Sequence, residues 1–274
     1  MRRAVLWPAS ILAALVVSAA GAAAPPGTSD PFPKAAASYL VAVDGSILWE
    51  RAAGVARPPA SLTKMMTALV VLEKGYKADA IVEVSAAAAA ESGTRVGLKR
   101  GDRVAAGDLL RAMLVGSAND ACLALAEHAG GSVKAFVDLM NARAAALGLQ
   151  ATHFEDPCGH DRAGQVSSAR DLWRLAEAAL EKPEFARAVA LEHATVRTAA
   201  GRELAVETSN KLLGNLPGAK GVKTGYTAKA GKCVVALAER DGHRVLAVLL
   251  DAPDRWWTAA ALVERAFEAA RAGH

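Results

Sequence analysis

Ser61 and Lys64 stand at i and i+3 in the run Pro59-Ala60-Ser61-Leu62-Thr63-Lys64-Met65-Met66-Thr67. On a helix that spacing puts a hydroxyl and an amine on one face. A serine becomes a nucleophile when a base lies within hydrogen-bond reach, and a neutral lysine can be that base. Neutrality at pH 7 asks for a fall of about three units from the ordinary lysine value, roughly 4 kcal/mol. Burial under Met65, Met66 and Leu69 favours such a fall, as does a second cation nearby. Alone the pair is weak, since a shuffled chain of this composition holds roughly half a Ser-x-x-Lys by chance. An N-cap serine beside a solvated lysine explains most such matches.

Two later motifs change the weighing. Ser117-Ala118-Asn119 follows Leu114-Val115-Gly116 at a helix–loop–helix junction. Lys223-Thr224-Gly225 lies in Gly221-Val222-Lys223-Thr224-Gly225-Tyr226-Thr227, where a strand is expected. Chance expectations are roughly 0.2 and 0.04, and for all three motifs in this order a few in a thousand. The set also makes one chemistry. Ser61 attacks a carbonyl and Lys64 takes its proton. Ser117 relays that proton to a leaving amine, and Asn119 holds substrate amide groups. Lys223 and Thr224 supply charge and hydroxyl for a carboxylate. Gly225 lets a substrate backbone lie close to its strand. The oxyanion is expected between the Ser61 N–H and one from the strand just past Gly225.

These residues have to be positioned by the elements around them. Ser38–Val43 and Ile47–Glu50 read as strands of a hairpin about Asp44-Gly45. A helix is expected from Ser61 to about Lys74, stopped by Gly75. Further helices are expected at 106–115, 120–128, 133–147 and 169–180. Strands return at 195–198, 204–208, 232–239 and 244–250, the last two flanking Asp241-Gly242. A final amphipathic helix runs from about Trp256 to Arg271. Strands at both ends with helices between give an α+β fold in which the end strands share one antiparallel sheet.

The motifs resemble those of the penicillin-binding serine D-alanyl-D-alanine peptidases, in their low-molecular-mass carboxypeptidase group. The likeness runs from about Ser38 to Leu250 and includes Arg57–Ala68, Ser117–Ala121, Thr208–Leu213 and Lys223–Thr227. It implies a five-stranded antiparallel sheet flanked by helices, with an inserted helical region. It also implies an acyl-enzyme at Ser61, release of terminal D-alanine from peptidoglycan stem peptides, and covalent inhibition by β-lactams. No cofactor is implied. Two positions depart from the family's Asn-Pro-x-Gly-Leu stretch: Asp156 stands where Asn is usual, and His160 where Leu is usual. The same machinery serves D,D-endopeptidases, which cleave the cross-link between stems, and that reading stays open. Serine β-lactamases share the motifs, but Glu155-Asp156-Pro157-Cys158-Gly159 does not fit the Glu-x-x-Leu-Asn context of the class A enzymes. A non-catalytic β-lactam receptor is disfavoured, because no membrane-spanning stretch is visible after residue 24.

Composition narrows the remaining classes. The chain has 274 residues, formal charge +4, 53% hydrophobic residues and three cysteines. A multi-disulfide scaffold is excluded, and no basic run or aromatic stripe supports nucleic-acid binding. Met1 to about Ala24 has the order of a secretory signal: Arg2 and Arg3, a short apolar core, then small residues ending before Pro25-Pro26. Those arginines account for two of the +4 charges. Cleavage is expected after Ala22 or Ala24, with 25–37 a leader, loose as far as Lys34, and 38–274 one catalytic domain. Export to the periplasm or cell envelope follows, with no stable membrane anchor after cleavage. The chain ends soon after its catalytic region, so attachment through a C-terminal membrane helix is not expected. His153, Cys158, His160 and Asp161 are four possible ligands in nine residues, yet no metal site is expected without a His-Glu-x-x-His pattern. Cys122 and Cys233 read as small buried residues and Cys158, on a loop, as the most exposed thiol, with one disulfide among the three left open in an oxidising compartment.

Overall fold

The structure, a computed structural model, describes residues 32–272. The signal segment, its cleavage site and most of the leader lie outside the described residues. Strands β1 (Ser38–Val43) and β2 (Ser46–Arg51) form the hairpin expected about Asp44-Gly45. Both turn residues have positive φ, 50° and 81°, as a two-residue hairpin turn of this type requires. A 3-10 turn, Ala60–Thr63, then feeds α1 (Lys64–Glu73), and Gly75 follows with φ 76°. The α-helix therefore opens three residues later than expected, and Ser61 sits in the tighter turn before it.

The middle of the chain is helical. Short strand β3 (Ile81–Glu83), the single turn α2 (Ala86–Ala89) and strand β4 (Arg103–Ala105) precede α3 (Ala106–Val115) and α4 (Asn119–Gly130). Then come α5 (Val133–Ala146), α6 (Ala169–Leu180) and α7 (Pro183–Val189). Motif reading missed α7, although Pro183 at its first turn is a start signal. Strands β5 (His193–Arg197) and β6 (Glu203–Glu207) pair with each other, followed by β7 (Ala219–Thr227), β8 (Gly231–Arg240), β9 (His243–Leu250) and α8 (Arg255–Ala272). The β8–β9 turn repeats the first, with Asp241 and Gly242 at φ 51° and 81°.

The main sheet is antiparallel in the order β2-β1-β9-β8-β7, which joins the two ends of the chain as expected. Both its faces are covered. Leu40, Ala42, Val235, Leu237, Leu246 and Val248 turn toward the helical region, while Tyr39, Val41, Val234, Ala236, Val245 and Ala247 turn toward α8. Strands buried on both faces read as continuous apolar runs, as these do. The β5–β6 pair corrects the expectation that all late strands join one sheet. Only Val196 and Val206 are buried there, one face of each strand, so the pair lies on the helical region as a separate ribbon. The end of the leader packs too: Ala36 is buried, Phe32 packs against the α8 layer, and the Ala37 N–H donates to the Asp251 carbonyl. Among the described residues no helix is long and apolar enough to cross a membrane.

Candidate active site

Lys64 is fully buried, and its Nζ has three neighbours. They are the Asn119 side-chain oxygen at 2.7 Å, the Cys158 carbonyl, and the Ser61 hydroxyl at 3.1 Å. Burial drives its pKa down to about 7, although the negative charges of Asp156 and Glu91 oppose the fall. That is the shift the chemistry demanded. A neutral amine carries two N–H groups and one lone pair. With the two N–H groups given to Asn119 and Cys158, the lone pair is left for the Ser61 O–H. One turn further along α1, Thr67 donates to the Pro157 carbonyl at 2.5 Å, so the same helix face grips the loop at two successive residues.

The second motif lies between α3 and α4. Ser117 has φ 62°, a left-handed backbone that costs a non-glycine residue about 1–3 kcal/mol. Ala60, next to the nucleophile, has φ 48°. Neither strained position is visible in the sequence, because alanine and serine give no signal for it. The Asn119 amide also donates to the Ser92 carbonyl at 2.6 Å, which fixes both ends of that side chain. Asp120, fully buried, accepts the backbone N–H groups of Val96, Gly97 and Leu98 at 3.1, 2.9 and 3.0 Å, and so ties that loop to the first turn of α4.

The third motif comes from β7, at the sheet edge beside the Ser61 turn. Lys223 Nζ donates to Ser117 Oγ at 2.8 Å and to the Thr224 carbonyl at 3.1 Å. Burial holds its pKa well below the ordinary lysine value, helped by the positive charges of Lys64 and Arg255. Thr224 Oγ1 lies 2.7 Å from Ser209 Oγ. Gly225 also lies against a part of this chain itself. A Cβ there would sit 3.1 Å from Ala60 Cβ and 3.2 Å from Ser61 N, so the close neighbour is this chain's own nucleophile turn. Gly159 confines the same turn from the loop: with φ 90°, a Cβ there would meet the Ala60 carbonyl and lie 2.8 Å from Ser61 N.

All seven residues singled out in the sequence meet at this cleft: Ser61, Lys64, Ser117, Asn119, Lys223, Thr224 and Gly225. What motif reading missed is their support. Backbone carbonyls at Ser92 and Cys158 carry no side-chain signal. Arg255 donates to the Gly225 carbonyl at 2.6 Å from beyond the last strand. Cys158 is a correction: it is buried and disulfide-bonded to Cys122, so the loop is stapled to α4 rather than presenting a thiol. The two residues stand 36 positions apart in the sequence, and the fold brings them together. Cys233 is a buried free thiol as expected, and burial pushes its pKa up to about 11.

The loop's departures from the family pattern are one structure. The Asp156 Oδ1 accepts the N–H groups of Cys158, Gly159 and His160, and its Oδ2 lies 3.0 Å from His160 Nδ1. Burial works to raise the Asp156 pKa, but these bonds outweigh it and hold the carboxyl at about 2. The Asp156 bond in turn raises the pKa of His160. Buried Gln165 closes the loop, accepting from the N–H groups of Glu155 and Asp156 and donating to the His160 carbonyl.

Comparison with known proteins agrees with this architecture. The D-alanyl-D-alanine carboxypeptidase family matches residues 26–254. The chain is 33% identical over 230 residues to D-alanyl-D-alanine carboxypeptidase DacF of Bacillus subtilis, covering 82% of this chain and 59% of DacF. It is 36% identical over 253 residues to the carboxypeptidase DacB2 of Mycobacterium tuberculosis, covering 88% and 86%. It is also 32% identical over 250 residues to the D-alanyl-D-alanine endopeptidase of Pseudomonas aeruginosa, covering 86% and 78%. The solved Streptomyces K15 DD-transpeptidase superposes with TM-score 0.81 at 31% identity, covering 85% of this chain and 97% of that one. The chain thus spans about three-fifths of DacF and most of DacB2. A match reaching from residue 26 past the last strand of the sheet makes the chain a member of the D-alanyl-D-alanine carboxypeptidase family.

Proposed function

We propose that the protein is a serine D-Ala-D-Ala carboxypeptidase acting on peptidoglycan stem pentapeptides. The observation that carries this reading is the partner set of Lys64 Nζ, whose two carbonyl-type acceptors leave its lone pair facing Ser61 Oγ at 3.1 Å. Ser61 Oγ attacks the carbonyl of the penultimate D-alanine as Lys64 takes the hydroxyl proton. The tetrahedral oxyanion rests on the Ser61 N–H and one from the strand just past Gly225. The C–N bond then breaks, and the leaving amine takes a proton relayed through Ser117. Lys223, within 2.8 Å of Ser117, with Thr224, holds the terminal carboxylate, and Asn119 orients the peptide. Water, giving its proton to Lys64, hydrolyses the ester and regenerates Ser61. A β-lactam carbonyl acylates the same hydroxyl. The substrate's location calls for export, with 1–24 a signal peptide, 25–37 a leader and 38–274 the catalytic unit in the periplasm or envelope.

The endopeptidase reading uses the same steps on a cross-link and is supported by the Pseudomonas relative's name. A mixed digest separates them: mature protein receives pentapeptide monomer and D,D-cross-linked dimer in one tube, and products are weighed by mass spectrometry. Loss of one alanine from the monomer with the dimer intact is the expected result. A split dimer beside untouched pentapeptide would make the protein an endopeptidase, and new dimer would make it a transpeptidase. Ser61→Ala is expected to abolish both turnover and penicillin labelling.

A further inference from the structure

His160 stands at the edge of the cleft between two carboxylates. Its Nδ1 lies 3.0 Å from Asp156 Oδ2 and its Nε2 lies 3.1 Å from Glu91 Oε2. The same Nε2 is 3.3 Å from the Asn119 amide nitrogen. Asn119 cannot turn away, since its oxygen accepts from Lys64 and one of its N–H groups is given to Ser92. Only its second N–H remains for a substrate, and that N–H faces His160.

We propose that His160 is a positioning residue whose protonation state decides whether the second Asn119 N–H is available to the substrate peptide. As an imidazolium, His160 donates Nδ1–H to Asp156 and Nε2–H to Glu91. It then has no lone pair for Asn119, whose N–H stays free for a substrate carbonyl. As a neutral ring protonated on Nδ1, it keeps Asp156 but presents the Nε2 lone pair to Asn119 and captures the N–H. The inference rests on Asn119 binding substrate, as in the proposed function.

The charged groups facing the ring are Asp156 on its own loop, Glu91 after α2 and Lys64 on α1. The two carboxylates favour the imidazolium, and Lys64 opposes it. Asp161, next in the chain, is turned away to Thr227 Oγ1 and the Lys229 N–H. His160 therefore keeps its proton above the ordinary imidazole range and releases it as pH rises further, while Lys64 becomes a competent base through about pH 7. Rising pH raises kcat through Lys64 and then raises KM through His160.

The test is the pH dependence of kcat and KM, from pH 5 to 9, on a synthetic stem pentapeptide. Wild type is compared with His160→Gln and with the double variant Asp156→Asn/His160→Leu. The double variant removes the buried Asp156 carboxylate together with its His160 partner and leaves only the partly buried Glu91 without one, so it is expected to fold. Wild-type KM is expected to rise roughly three- to ten-fold on the alkaline side, the size of one neutral hydrogen bond. The double variant, with no ring to capture the N–H, keeps a low KM across the range. His160→Gln, whose side-chain oxygen accepts from Asn119 at every pH, has a high and flat KM. Neither Asp156 nor His160 is among the groups that shift the Lys223 pKa, and His160→Gln keeps the Asp156 charge that acts on Lys64, so opposite KM changes in the two variants trace to His160. The proposal is overturned if both variants move KM in the same direction or keep the wild-type alkaline rise. Wild type that releases no D-alanine at any pH would overturn the function itself, which is read before any variant.

Discussion

The helical side of the cleft and its strand side are held in different ways. On the helical side, Ser61 and Lys64 come from one stretch of chain and Ser117 and Asn119 from another, each with a residue in a left-handed backbone conformation. They are fixed by side-chain bonds to carbonyls, by the buried Asp120 and by the Cys122–Cys158 disulfide. On the strand side, Lys223, Thr224 and Gly225 are consecutive residues of β7 and inherit their positions from pairing with β8. Cys233, the pairing partner of Gly225, stays a free and protonated thiol. A ladder already fixes each strand residue, so a cross-link there would add little. Loop and helix ends have no such ladder, and the covalent tie replaces it.

Several measurements would break or sharpen that contrast, beginning with the largest effect. Lys64→Met is expected to slow penicillin acylation about a thousand-fold or more with the fold retained by circular dichroism. Lys223→Met is expected to act mainly on KM for carboxylate-bearing substrates; equal losses of kcat in both would erase the division of labour between the two buried lysines. Next, the Cys122→Ala/Cys158→Ala pair is expected to lose about 4 kcal/mol in urea unfolding, from the loop-closure entropy of its 36-residue separation. Cys233→Ala should cost about 1 kcal/mol, as a small buried truncation. Similar losses would mean the two sides are held alike.

The glycines give a smaller but graded effect. Gly159→Ala meets both a left-handed backbone and the Ala60 carbonyl, and about 3 kcal/mol of destabilisation is expected. Gly225→Ala meets contacts of 3.1–3.2 Å at ordinary φ and should cost about 1–2 kcal/mol. Differential scanning calorimetry ranks them, and the reverse order would refute the geometry. Smallest is the acid limb. Asp156 has a folded pKa of about 2, below its ordinary 3.8, so its contribution is present above the ordinary value and fades as pH falls toward 2. Asp156→Asn should flatten the fall of Tm between pH 4 and 2, and an unchanged limb would count against the Asp156–His160 pair.

Much of the fold was legible where one local rule decides. Asp44-Gly45 and Asp241-Gly242 encode their turns by the positive φ that both residues must adopt, and the apolar runs of β8 and β9 announce strands covered on two faces. The β5–β6 ribbon was harder. Strand character is local, but membership of a sheet depends on which faces find a partner. Short strands β3 and β4, of three residues each, hold too few side chains for a pattern to register.

For the site, the sequence by itself determined which seven residues to single out, because hydroxyl, amine and amide types stand at fixed short spacings that need no knowledge of the fold. Only the tertiary structure decided their chemical state. The Lys64 pKa falls to about 7 because the side chain is buried, and its amine is aimed by a carbonyl 94 residues away, at Cys158, that accepts one of its N–H groups. Asp156 and His160, each a departure when read singly, stabilise each other once the loop closes. The Cys122–Cys158 bond likewise exists because folding brings α4 and the loop together. Spacing along the chain is a covalent property and can be read from it. Desolvation, charge pairing and disulfide partnership depend on which distant groups arrive, and packing alone sets that.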